Sequence, residues 1–141
     1  ADDILTPFEK KQLPYIQRAM YEVVNHKKGT AHKYFKEAKL TLAAKTGTAQ
    51  VVGISQAEKK RMKEEDMEYL RRSHAWVTTY GPYEEPRYAV TVIIEHGGHG
   101  GLAAGPLTAK IFNKLLEMGY IDQKYEITSL ADTEAAQKKK N

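Results

Sequence analysis

Lys45, Thr46, Gly47 and Thr48 put a cation, two hydroxyls and a glycine into four consecutive residues. On an extended segment side chains alternate, so Thr46 and Thr48 share one face while Lys45 and Gly47 share the other. Two hydroxyls side by side can hold a carboxylate, and a glycine lets neighbouring structure come close. At a sheet edge, free backbone N–H groups could also stabilise an oxyanion or pair with an extended peptide. As a bare string the tetrapeptide is weak, and a plain polar edge strand is its commoner explanation. A nucleotide-binding Walker loop is rejected, because it needs glycine at 39 and 44, where this chain has Lys39 and Ala44.

His74, His96 and His99 raise the possibility of a metal site. A hairpin turn centred near residue 84 puts 74 and 96 almost opposite each other. The pair is expected about 20 Å from Lys45, at roughly 3.3 Å per residue, at the far end of the sheet. Rings hydrogen-bonded to backbone are therefore the expectation, with no metal and no cofactor. The glycine-rich run 95–101 reads as a tight strand-to-helix turn, a weak phosphate cradle despite the helix start that follows. Trp76 alternates with Val77 and is expected in the core. Lys33, Lys36 and Lys39 read as a solvated basic face.

The elements that must position these residues follow from pattern. Leu13, Ile16, Met20, Val23 and Val24 keep the spacing of a buried helix face. Thr6-Pro7-Phe8-Glu9 is a capping box with proline in its favoured first position. Pro14 interrupts, so a short turn and then a helix over 13–25 are predicted, with Thr30 capping a shorter helix through Ala31 and Phe35. Residues 40–52 read as a strand containing Gly47. Residues 55–72 open with a second capping box, Ser55 to Glu58, and are so charged that a surface helical excursion is predicted. Strands at 74–81 and 87–95 flank a turn with Pro82 and Pro86, forming an antiparallel hairpin. A last helix covers 104–118, with Ala104, Leu107, Ile111, Leu115 and Met118 inward and Gly119 ending it. These elements make one α+β unit over 1–122, with 123–141 a largely disordered polar tail. The predicted helices cover one sheet face and leave the other to sequence outside the chain.

Composition sets the outer bounds. With 141 residues, the chain can bury one modest core. There are no cysteines, which excludes disulfides and thiolate metal sites. The net charge of +4 owes much to Lys138, Lys139 and Lys140, so a nucleic-acid partner is poorly supported. No run of about 18 apolar residues suggests a membrane span. Ala1-Asp2-Asp3 shows neither an initiator methionine nor a signal-peptide pattern and reads as a cut from a longer chain.

The neighbourhood of the tetrapeptide resembles a known family. Gly29-Thr30-Ala31, then Ala44-Lys45-Thr46-Gly47-Thr48-Ala49-Gln50, His74-Ala75-Trp76, Tyr88-Ala89-Val90, Glu95-His96-Gly97-Gly98 and Ala104-x-Pro106 occur in the order found in class B penicillin-binding proteins. The likeness covers about residues 5–120 and is nearest to the member that serves cell-wall elongation. It implies the C-terminal part of a penicillin-binding transpeptidase, with the serine β-lactamase-like fold, at the periplasmic face of the bacterial inner membrane. It implies that Lys45 joins the active-site hydrogen-bond network, that Thr46 and Thr48 engage the substrate or drug carboxylate, and that Gly47 gives clearance. It also implies that the Thr48 N–H makes half of an oxyanion hole. The implied reaction is acylation of a serine by a stem peptide, followed by attack from a neighbouring amine, with β-lactams as inhibitors.

The chain departs from that family in lacking S-x-x-K, since none of Ser55, Ser73 and Ser129 has lysine three residues on, and it has no S-x-N. The nucleophile and its base are therefore expected upstream, on the remainder of the same enzyme. An elongation-complex scaffold and a glycosyltransferase are further implied partners. Two other readings stay open: a non-catalytic sensor of the same family, and a β-lactamase, which the His74 and Glu95 segments disfavour.

Overall fold

The computed structural model describes residues 4–51, 53 and 63–127. Helix α1 runs over Pro7–Asn25, strands β1, β2 and β3 over Ala43–Ala49, His74–Gly81 and Tyr88–Ile94, and helix α2 over Gly100–Glu117. The strands form one antiparallel sheet in the order β1-β2-β3. The Ser55 capping box and most of the charged stretch lie outside the described residues. Its end, predicted helical, forms two 3-10 turns, Glu64–Asp66 and Tyr69–Arg71.

Helix α1 begins as its sequence requires. The Glu9 N–H donates to Thr6 Oγ1 (3.3 Å) and the Thr6 N–H donates to Glu9 Oε2 (2.7 Å), closing the capping box with Pro7 at the first helical position. The helix does not break at Pro14, as predicted, but runs through it. A proline removes one ladder donor, and this stretch is exposed, so water can replace it. The predicted buried face is covered at its last turn alone. Val24 is buried, whereas Leu13 and Ile16 stay exposed. There Asn25 Nδ2 donates to the Leu42 carbonyl at 2.8 Å, tying the helix to the entrance of β1. Thr30 caps no α-helix; the segment is a single 3-10 turn, His32–Tyr34, with Ala31 at its N-cap.

Helix α2 starts at Gly100, earlier than predicted, and turns a different stripe inward. Gly101, Ala104, Gly105, Thr108, Phe112 and Leu116 are buried, while Leu107 and Met118 are exposed. Close approach is the reason. A Cβ on Gly101 or Gly105 would come within 2.8 or 2.9 Å of the Tyr34 side chain, so the small residues form the contact. Gly119 ends the helix as predicted: at φ 77° it donates to the Leu116 carbonyl, and Tyr120 donates to that of Leu115, both at 3.0 Å.

Both helices lie on one face of the sheet, where Phe35, Leu42, Val77, Ala104 and Phe112 are fully buried. Beyond Asp122 the chain forms a 3-10 turn, Gln123–Tyr125, and Glu126 bridges to Leu40. Residues 128–141 lie outside the described residues.

Candidate active site

The register fixes which side chains meet. Lys45 pairs with Thr78, Thr46 with Val77, Gly47 with Trp76 and Thr48 with Ala75. Alternation therefore puts Lys45, Gly47, Trp76 and Thr78 on the face opposite the helices, and Thr46 and Thr48 on the helix side. Among the described residues β1 is an edge strand, paired on one side with β2. Half of its N–H and C=O groups point outward, available to an extended partner.

A groove of about 380 Å³ runs along this strand, lined by Lys45, Thr46, Gly47, Thr48, Trp76 and Thr78. Lys45 is exposed, and its ammonium donates to the Thr46 carbonyl. Thr78 Oγ1 lies 3.1 Å from Thr91 Oγ1 on β3, which continues the polar surface across the sheet. The groove thus offers one cation, three hydroxyls, outward backbone donors and an indole. That set suits the carboxylate end of an extended peptide.

Trp76 was expected in the core and is not there. It is 43% exposed and lies across Gly47, where a Cβ would fall 1.5 Å from its Nε1. The clearance that Gly47 provides is therefore occupied by the indole itself, a glycine covered by a cross-strand aromatic. From the helix side Gly100 approaches the same pair, and a Cβ there would come within 2.2 Å of the Gly47 carbonyl oxygen. Gly47 is held between Trp76 above and α2 below. Alternation along β2 was visible in the sequence. The pairing of Trp76 with Gly47 was not, because it depends on the register of β1 against β2.

His74 also lies closer than predicted. It pairs with Ala49, one position past Thr48, so it stands about 13 Å along the strand direction from Lys45 rather than about 20 Å. β1 ends at Ala49 rather than at residue 52, which shortens the distance. The rings bond to backbone as predicted. The His96 N–H donates to His74 Nδ1 at 2.9 Å, and His96 Nδ1 donates to the Arg72 carbonyl at 3.1 Å. The glycine run is the expected turn from strand to helix, with Gly98 at φ 74°. Its last two glycines are already helical. Lys33 lies over the Tyr34 ring and Lys39 faces Glu126 at 3.5 Å, so neither lines the groove.

Titration is perturbed at the other end of the sheet. Burial, and then Tyr83, push the Tyr80 hydroxyl above its usual range. The Tyr125 hydroxyl, and then Arg87, hold the Glu85 carboxyl below the usual carboxylate range. Among the described residues the groove contains no serine or cysteine. Ser73 is buried and has no lysine three residues on. These residues can bind and polarise a substrate, but among them there is no nucleophile of the S-x-x-K kind.

An edge strand with K-T-G, backed by helices on one face and open on the other, is the arrangement of the class that includes the penicillin-binding proteins and the serine β-lactamases. Residues 5–117 match the penicillin-binding protein transpeptidase domain, and the chain belongs to that family. It is 40% identical over 100 residues to peptidoglycan D,D-transpeptidase MrdA of Haemophilus influenzae, covering 71% of this chain and 15% of that protein. It is 42% identical over 97 residues to the Escherichia coli K12 protein of the same name, covering 69% of this chain and 15% of that protein. A solved complex of the penicillin-binding protein PBP2 with MreC from Helicobacter pylori superposes with a TM-score of 0.72 and 48% identity. That match covers 85% of this chain and 20% of the other. The α+β fold class and the family implied by the flanking segments are thus established.

Proposed function

We propose that this chain supplies the substrate-binding strand of a peptidoglycan D,D-transpeptidase, the reaction acting through an acyl-serine formed on sequence outside residues 1–141. The observation that carries the reading is the open groove in which Lys45, Thr46 and Thr48 surround an edge strand, without a nucleophile beside it. In this reading the Thr46 and Thr48 hydroxyls hold the carboxylate of a D-Ala-D-Ala stem peptide or of a β-lactam. Lys45 adds its charge, and the Thr48 N–H provides half of the oxyanion hole. Gly47 keeps the strand flat beneath Trp76. A serine and a lysine from an S-x-x-K element complete the site over the open face and carry out acyl transfer.

The relatives' names, D,D-transpeptidase MrdA, support this substrate class, and their length leaves ample sequence for the missing element. The PBP2–MreC complex supports a scaffold partner for this chain, as in an elongation complex. A place at the periplasmic face of the inner membrane follows from the same reading, with an anchor elsewhere. No helix of the described residues is long and apolar enough to cross a membrane.

The test is labelling with a fluorescent penicillin, with and without a chain that carries S-x-x-K. Label on the S-x-x-K chain alone, and stem-peptide cross-linking by the pair, are the expected results. Covalent label within residues 1–141 would refute the assignment. Stable acylation without cross-linking would favour the sensor reading.

A further inference from the structure

Residues 95–99 set how closely α2 approaches the substrate strand. Gly100, which opens α2, lies so near the sheet that a Cβ would come within 2.2 Å of the Gly47 oxygen and 2.5 Å of the Trp76 oxygen. Any shift of this turn is therefore felt at the floor of the groove. Among the described non-glycine residues, His96 alone has a positive φ, 52°. Such a conformation persists where its surroundings over-determine it.

Three bonds to the start of β2 do so. The His96 N–H donates to His74 Nδ1 (2.9 Å), His96 Nδ1 donates to the Arg72 carbonyl (3.1 Å), and the Gly98 N–H donates to the Ser73 carbonyl (2.9 Å). The two imidazoles meet edge to face at 4.8 Å, and the Tyr69 ring lies 5.2 Å from that of His96. The Arg72 guanidinium donates to the carbonyls of Met67 and Glu65.

We infer that His74 and His96 are positioning residues for the substrate strand: together they lock the turn that seats Gly100 beneath the Gly47–Trp76 pair. The inference rests on the reading of β1 as that strand. Neither histidine lines the groove, so each acts through α2. His74 accepts through Nδ1 and carries its ring proton on Nε2.

The experiment uses the full-length protein that carries this segment, acylated by a fluorescent penicillin. His74→Phe keeps a ring but has no acceptor. It lowers the second-order acylation rate about tenfold. His74→Asn places an acceptor, Oδ1, where Nδ1 was. It returns the rate to within about threefold of wild type. His96→Gly, which accepts a positive φ, loses less than His96→Ala. A wild-type rate in His74→Phe would overturn the inference, and so would a His74→Asn variant no faster than His74→Phe.

An unlabelled wild type would refute the transpeptidase reading instead. The inference is then judged on Trp76, the single tryptophan of the 141 residues. Its emission is expected to shift in His74→Phe and not in His74→Asn, and an unchanged spectrum in both would overturn it.

Discussion

The two faces of the sheet are built from alternate residues of the same three strands, yet they follow different rules. On the helix face Ala44, Ala75, Val77 and Thr79 are fully buried, and α2 approaches the sheet backbone most closely at Gly100. On the other face Lys45, Trp76 and Ile93 remain exposed, joined there by Thr78. One face is shaped by exclusion, where side chains stay small so that backbones can meet. The other displays a cation, hydroxyls and an indole. Gly47 belongs to both, since Trp76 covers it on one side and Gly100 supports it on the other. Binding chemistry therefore depends on packing one layer below it.

Substitutions can break this comparison in order of size. Phe112→Ala empties the centre of the helix face and is expected to cost about 3–5 kcal/mol, read by denaturant unfolding. Gly100→Ala drives a methyl into the backbone oxygens of Gly47 and Trp76. It should cost about 2 kcal/mol and slow acylation, because backbone cannot swing aside. Gly47→Ala meets the Trp76 side chain instead, which can turn away. Its stability cost should be about 1 kcal/mol, with a larger loss in acylation rate than in stability. If the two glycine variants behaved alike, the distinction between floor and cover would fail.

Smaller effects sharpen the contrast. The Thr79 hydroxyl is buried on the helix face with no partner among the described residues. Thr79→Val should therefore raise stability by about 1 kcal/mol without changing the groove, measured as a higher melting temperature. At the hairpin turn, Glu85 accepts from the Tyr125 hydroxyl and pairs with Arg87, so its folded-state pKa is lowered. Its contribution is therefore present above the ordinary carboxylate value of 4.5 and is lost as pH falls through the lower folded value. The melting-temperature difference between wild type and Glu85→Gln should shrink to nothing in acid. A difference that grew in acid would contradict the sign.

Much of this was legible in the sequence because it is local. The Thr6–Glu9 box, the hairpin around Pro82 and Pro86, the Gly119 stop and the K-T-G strand are each carried by a few adjacent residues. The misread features depend on tertiary structure. The buried stripe of α2 is marked by smallness rather than apolarity, so a search for apolar periodicity finds Leu107 and Met118 instead. Trp76 reads as core until the register places it opposite Gly47. Pro14 looks like a break because its exposed, solvated surroundings cannot be read locally. The nearness of His74 to Thr48 depended on β1 ending at Ala49.

The central claim is that the Thr46 and Thr48 hydroxyls hold a substrate carboxylate while the nucleophile lies elsewhere. The most direct test compares acylation of the full-length protein by a penicillin and by its carboxylate methyl ester. Wild type should prefer the free acid by about 10–100-fold, and Thr46→Val/Thr48→Val should reduce that preference to near unity without loss of fold. An undiminished preference in the double variant would contradict the account.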